Sequence, residues 1–591
     1  MDTIQTNYKL RAKNASAEMK SMSAKANTLV MARVLVFGLM ILMVYLTWGN
    51  VLLVFSSILI IGLGFGYLIK WHSVFNEKKR YWNAIHEFYQ NELKATESDF
   101  SWANDGEEYK EPYHAYANDV DLFGHHSFFH KLNRTSTLGG ESMLANKLAS
   151  NDVLNIIEKQ KAIRELSMKM DFHENFVGIA RTNKSNLKPE TISNWFKNYS
   201  PVLNVKLKFL LWIFPILSAI CLGLYVSGVV SGVIFGAWFT IGLVLTGVLI
   251  KNTLKFNSEI NRIADNIRIF GKLLTQIEAE SFESELLQGI QKEIKQKDID
   301  ASKMLHSFVK KVDLFNNRNN FLVGIFGNAL LLWDSQTIYG VERWIMEYKN
   351  TVQNWIAGIF EMDAMLSLAI HNANHPHFTF PTIGEEETPY ILKGKNVGHP
   401  LLKKEVCVTN DVEINNENFL IITGANMAGK STFLRTVGLS IVMTNVGLPL
   451  FAEEITIKPQ KLISSMRTED SLKDDESYFF AELKRLKFII DTISIEPHFI
   501  ILDEILKGTN SKDKEEGSKQ FVKKLVGLKA SGIIATHDLG LCTISESIPQ
   551  VKNFYYDAEI VNDELFFDYK MKNGVCKNMN ASFLLRKMEI V

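Results

Sequence analysis

The sequence predicts an α/β C-terminal domain behind an all-α region that is interrupted by two uncharged hairpins. Three observations carry that prediction. A glycine-bounded loop follows a short apolar run, Phe419 to Thr423, and leads into an apolar-periodic segment that reads as a helix. Two further apolar runs, one in HFIILDEI and one from Ile533 to Thr536, read as buried strands. Nearer the N-terminus, Val34 to Ile69 and Phe209 to Ile250 contain no charged residue.

The loop fits G-x-x-x-x-G-K-[ST], with Gly424, Gly429, Lys430 and Ser431 in the four defined places. Glycines let successive backbone N–H groups turn inward around phosphate oxygens, and the helix that follows adds a favourable dipole. Gly424, Ala425, Asn426, Met427, Ala428, Gly429, Lys430, Ser431 and Thr432 are therefore the candidate ATP-binding loop. Lys430 would reach the β- and γ-phosphates, and the Ser431 hydroxyl would ligate Mg²⁺. A chance glycine-rich turn is the competing reading, and the strand–loop–helix context argues against it. HFIILDEI ends in Asp503-Glu504. Asp503 is assigned to the metal and Glu504 to the general base that polarises the attacking water. The third strand ends at His537-Asp538, in the crevice where ligands bind in open α/β sheets, so His537 could sense the γ-phosphate. Together these features predict a P-loop NTPase domain with Mg²⁺-dependent ATPase chemistry.

The chain has 591 residues, 65 basic and 65 acidic, so no global basic field announces a nucleic-acid partner. Its four cysteines, Cys221, Cys407, Cys542 and Cys576, form no C-x-x-C pair, which argues against a zinc site or a disulfide framework.

Residues 1–33 are polar and mildly basic and read as an N-terminal tail. The first uncharged run, 34–69, would be about 54 Å long as one helix, well beyond a hydrocarbon core of roughly 30 Å. Gly49-Asn50 sits near its middle, so two spans and a tight turn are the natural reading. The second run repeats the device within 206–252, with Ser227-Gly228 and Ser231-Gly232 near its centre. Basic residues flank both runs, Arg33 and Lys70 around the first, Lys206, Lys208 and Lys251 around the second. By the positive-inside rule everything except the two turns lies in the cytoplasm. Core helices seldom run uncharged for this length, which favours four membrane spans over buried core hairpins.

Residues 70–118 read as a linker, acidic and turn-rich from 96 to 112. Residues 119–205 and 253–385 read as two parts of one helical domain, with an Asn151 or Asp152 cap before a second helix. Trp333, Trp344 and Trp355 recur every eleven residues and are read as helix core. His371 to Pro381 breaks the helices and leads into the nucleotide domain, 386–591.

GANMAGKST, DDESYFFAEL, IILDEILKGTNSKD and IIATHD, in this order and spacing, resemble the ATPase domain of the MutS family. GHPLL…TND and the tail YKMKNGVCKNMNASFLLRKMEI resemble the flanks of that domain, and LNRTSTLGGESMLANKL resembles the opening of its helical lever domain. The resemblance covers roughly 119–205 and 253–591. It implies an ABC-ATPase-like fold, a homodimer with two composite ATP sites, and DNA as partner. Ser477, matching the serine of the family's S-T-F-M-x-E segment, would face the partner's γ-phosphate in trans. Gly508-Thr509 would lie in the loop that crosses the dimer interface, and His537 would contact the γ-phosphate. Ala425 and Ala428 replace the usual proline and glycine, Tyr478 a frequent threonine, and Ile505 to Gly508 the frequent I-G-R-G. None of these changes removes a catalytic group. The mismatch-reading domain and connector that such proteins carry have no counterpart here, and the second hairpin stands where they insert their DNA clamp. A lipid bilayer is thus an expected partner besides DNA. Two rival readings are a transporter-type membrane ATPase, which lacks support because L-S-G-G-Q is absent, and an ATP-switched membrane scaffold with no DNA role.

Overall fold

The computed structural model describes residues 2–182, 189–203, 207–295, 300–466, 478–561 and 564–576. The N-terminal region is helical and the C-terminal domain mixes helices with strands. Two long helices, α1 (Asp2–Leu46) and α2 (Val51–Thr96), run antiparallel around a short turn that Asn50 caps by accepting from the Leu53 amide. The stretch read as a tail, 1–33, is therefore the first part of a helix from Asp2 onward, and most of the expected linker is the second half of α2. Tyr8, Ala12 and Ala15 of α1 form a buried seam with Ile85, Phe88 and Tyr89 of α2. Small alanines carry the α1 side of that seam, so the composition looks polar while one face is buried.

Toward the turn both helices become apolar and exposed: Leu35, Trp48, Val51 and Ile60 are among the exposed side chains. A second apolar pair, Leu207–Val226 and Gly232–Val248, is held together by stacked rings at Phe214–Trp238 and Tyr225–Phe235. The Trp238 indole also donates to Ser218 Oγ at 2.8 Å. Among the described residues, three helices are long and apolar enough to cross a membrane, within Ile4–Leu46, Val51–Thr96 and Phe209–Val226; Gly232–Val248 joins Thr253–Ala279 through a 65° bend as a fourth candidate. The second pair is rooted in the helical core, because Leu211 and Phe214 are buried in it.

The helices Leu138–Ala149 and Thr351–Asn374 approach so closely that a Cβ on Gly139 would overlap Phe360, and one on Gly140 would overlap Asp363. Trp344 and Trp355 are buried, as their spacing predicts, while Trp333 is half-buried. The second helix of this region starts at Ile156, after an uncapped Asn155; Asn151 instead pairs with both backbone groups of Leu462 at 2.9 Å. That bond ties the helical region to the α/β domain. The last long helix continues to Asn374, so the helix break begins at His375.

The strands are β1 (Thr382–Ile383), β2 (Tyr390–Val397), β3 (Asn410–Asn415), β4 (Phe419–Gly424), β5 (Glu454–Ile457), β6 (Lys461–Ser465), β7 (His498–Asp503), β8 (Ser531–Ala535), β9 (Val551–Tyr556), β10 (Glu559–Val561), β11 (Glu564–Phe566) and β12 (Met571–Asn573). A small lead-in sheet has the order β1-β5-β2-β3, and the main sheet β12-β9-β4-β8-β7-β6. From β9 to β6 the main-sheet neighbours are parallel. Parallel strands covered on both faces need continuous apolar runs. Phe419 to Ile422, Phe499 to Leu502 and Ile533 to Ala535 supply them, all buried.

Candidate functional site

Three of those parallel strands, β4, β7 and β8, end side by side, and each delivers one group of candidate residues. Behind β4 the loop turns at Gly424 (φ 142°), where a Cβ would overlap the carbonyl of Tyr556 on β9. It turns again at Gly429 (φ 107°), the N-cap of the helix Lys430–Asn445. Both positions favour glycine by backbone conformation. Ala428 is buried, whereas Met427 is 81% exposed in a left-handed conformation (φ 67°).

Lys430 is buried, and its Nζ donates to the carbonyls of Gly424 and Ala425 at 2.9 Å each. Burial lowers its pKa, with Asp503 and Glu504 pulling the other way. The Ser431 hydroxyl donates to Asp503 Oδ2 at 2.7 Å, so the two expected metal ligands already touch. Burial pushes the Asp503 carboxyl up, partly offset by that hydrogen bond. Glu504 lies 2.9 Å from His537 Nε2 and 3.4 Å from the Lys507 ammonium. The His537 hydrogen bond holds the Glu504 carboxyl down at about 2, against burial and with help from Lys507. His537 Nε2 also lies 3.4 Å from Lys430 Nζ, so one imidazole stands between Lys430 and the candidate base.

Sequence reasoning missed Lys507 and Glu482. Glu482 is buried on the helix Tyr478–Ile493 and accepts the backbone amides of Leu506 (2.5 Å) and Lys507 (3.1 Å). It holds the chain where Glu504 (φ 49°) and Leu506 (φ 59°) adopt left-handed conformations that cost non-glycine residues free energy. A signal was present, because Glu482 is the final glutamate of YFFAE, five residues beyond Ser477. Ser477 itself, with the loop from Glu469, lies outside the described residues.

Lys430, Ser431, Asp503, Glu504 and Lys507 line a cleft of about 580 Å³, with His537 and Glu482 behind them. Asn426, Lys430, Ser431, Asp503 and Glu504 form its polar side; Val397 at the end of β2, Leu402, Val406 and Val408 from the connection between β2 and β3, and Tyr569 form an apolar wall. A ligand pocket of this size with one apolar and one polar side is typical of small-molecule sites. Gly508 is packed against Phe479, on the same loop as Lys507.

The sequence profile of MutS domain V matches residues 420–586. Among similar proteins, MutS protein homolog 4 of Homo sapiens is 31% identical over 31% of this chain and 20% of its own length. The DNA mismatch repair protein MutS of Caldicellulosiruptor saccharolyticus is 31% identical over 38% of this chain and 27% of its own. The Staphylococcus aureus protein of the same name is 25% identical over 44% of this chain and 30% of its own. The chain thus spans less than a third of the length of these relatives. Residues 420–586 thus match a MutS domain V, the part of the chain that these relatives share.

Proposed function

We propose that this chain is a membrane-tethered, MutS-like ATPase with a P-loop NTPase fold, dimeric through its nucleotide domains and acting on DNA. The observation that carries the reading is the convergence of Lys430, the Ser431–Asp503 pair and the Glu504–His537 pair at the ends of three parallel strands.

ATP and Mg²⁺ fit these residues. The loop glycines leave room for phosphate, the apolar wall suits a base, and a hydroxyl beside a carboxylate is the hard-oxygen set that Mg²⁺ prefers. Ser431 and, through water, Asp503 would hold the ion, which supplies charge neutralisation on the phosphates. Lys430, whose donors now rest on the loop's own carbonyls, would turn them to phosphate oxygens. Glu504 would orient the attacking water and accept its proton. A carboxyl held at about 2 is a poor proton acceptor, and His537 is the main cause. When His537 turns toward the γ-phosphate, Glu504 loses that partner, its pKa rises, and it becomes a better base. Ser477 of a second copy would complete the site from across the dimer, with Gly508-Thr509 in the crossing loop. ATP binding would close the dimer and move the levers; hydrolysis would reopen it.

The exposed apolar surfaces of α1, α2 and the second helix pair support a bilayer as their surroundings. With the basic flanks facing the cytoplasm, the lever and ATPase domains would lie on that side. The relatives named for DNA mismatch repair support DNA as the partner. ATP turnover of the detergent-solubilised chain, measured without DNA and with homoduplex, mismatched and branched DNA, tests this. Stimulation by one of them supports the reading. Flat rates without binding would sink the DNA role and leave a transporter-type or scaffold ATPase.

A further inference from the structure

A third apolar element lies outside both helix pairs. Residues 319–333 carry no charge and run between Arg318 and Asp334. Fully helical, they would extend about 22 Å, too short for a hydrocarbon core of roughly 30 Å. The chain instead folds them as a return. Asn317–Asn319 form a 3₁₀ turn, Val323–Gly327 a π turn and Asn328–Leu331 one α turn, after which Leu332 (φ 51°) reverses the direction. The two ends are pinned together: Arg318 Nη1 lies 3.3 Å from Asp334 Oδ2, and the Trp333 indole donates to the Leu314 carbonyl at 3.2 Å.

The outer face of this excursion carries Phe321, 74% exposed, with Leu322 and Leu331 also exposed, and Phe326 is exposed at the edge between the two faces. Its inner face leans on the helix Gly232–Val248. Phe326 meets Phe239 edge-on at 5.6 Å, and a Cβ on Gly242 would overlap the Ala329 carbonyl. Close approach over a small residue is how helices associate in lipid. The irregular backbone is satisfied from within by two asparagines. Asn320 Oδ1 accepts the Leu322 amide at 3.0 Å, Asn328 Nδ2 donates to the Gly324 carbonyl at 2.9 Å, and Asn328 Oδ1 accepts the Asp334 amide at 2.9 Å. Water would satisfy such groups in an exposed loop; hydrocarbon cannot, so irregular backbone at membrane depth must find its partners in protein.

We propose that residues 320–332 are a re-entrant element that dips into the bilayer beside the second helix pair and returns on the same side. The inference rests on the membrane reading above. Lipid, rather than a protein partner, is the occupant because the segment packs on a helix whose Val233, Ile234 and Val244 are exposed as well, and because asparagine side chains meet three backbone groups of its irregular turns.

The test uses the full chain with its native cysteines replaced, reconstituted into phosphatidylcholine vesicles. Single cysteines at Phe321, Leu322 or Phe326 carry an environment-sensitive fluorophore, with acyl-chain spin-labelled lipid as quencher. Leu59 and Ile234 serve as references in the two helix pairs, and Lys529 as a solvent reference. Quenching at 321, 322 and 326 to at least half the extent at Leu59 is expected. Quenching at Leu59 and Ile234 but not at the three sites, whether they face water or a protein, would overturn the inference and leave the membrane reading intact. No quenching at Leu59 and Ile234 would overturn both.

Discussion

Asp363 concentrates the physics of single residues in this protein. It is buried and accepts the amides of Ser136 (2.9 Å) and Thr137 (2.8 Å) and the Thr137 hydroxyl (2.7 Å). Burial pushes its carboxyl up to about 6, although each of those bonds opposes the shift. A folded pKa above the unfolded value means that protonation favours the fold. The contribution is complete below about pH 4 and lost as pH rises through about 6, roughly 3 kcal/mol in all. Asp363→Asn removes the titration. The difference in thermal midpoint between the native chain and this variant is expected to move against the native chain from about pH 4 to about pH 7. A difference independent of pH would contradict the burial. The clustering of Lys430, Ser431, Asp503, Glu504 and His537 was legible because each sits at a fixed offset in a motif or at a strand end. Glu482 stands at a fixed offset too, five residues beyond Ser477, but its role was missed because its partners are the backbone amides of Leu506 and Lys507, which no residue type announces.

At the scale of elements, the base of the α1–α2 pair is fastened to the helical region by one buried network. Arg134 Nε donates to Glu92 Oε1 at 2.5 Å, Glu92 Oε2 accepts from Asn374 at 2.8 Å, and the Tyr8 hydroxyl donates to Asn374 Oδ1 at 2.6 Å. Both members of the ion pair are buried. Removing one partner leaves the other charge uncompensated, at a cost of about 3–5 kcal/mol. Glu92→Ala is expected to lower the thermal midpoint accordingly and to open the α1–α2 base to limited protease. Unchanged stability and cleavage would mean that the pair does not hold these elements together. Three of the six main-sheet strands, β4, β7 and β8, were readable from their unbroken apolar runs. The helices at 1–33 and 70–96 were not, because Tyr8, Ala12 and Ala15 bury a narrow seam under an otherwise polar surface, and small side chains add little apolar signal. The apolar segment at 319–333 escaped for the opposite reason, being shorter than a span.

For the whole molecule, the account joins a MutS domain V to helices whose apolar faces stand exposed. Membranes washed in alkaline carbonate are expected to retain the chain, and only detergent should release it; release by carbonate alone would remove the bilayer from the account. The central claim is that ATP turnover runs through Glu504. The most direct test is Mg²⁺-dependent ATP turnover and ATP binding by the reconstituted full chain and by Glu504→Gln. The account predicts unchanged ATP binding and turnover reduced on the order of 10²-fold or more, the loss typical of a missing general base. Hydrolysis by Glu504→Gln at the native rate would contradict it.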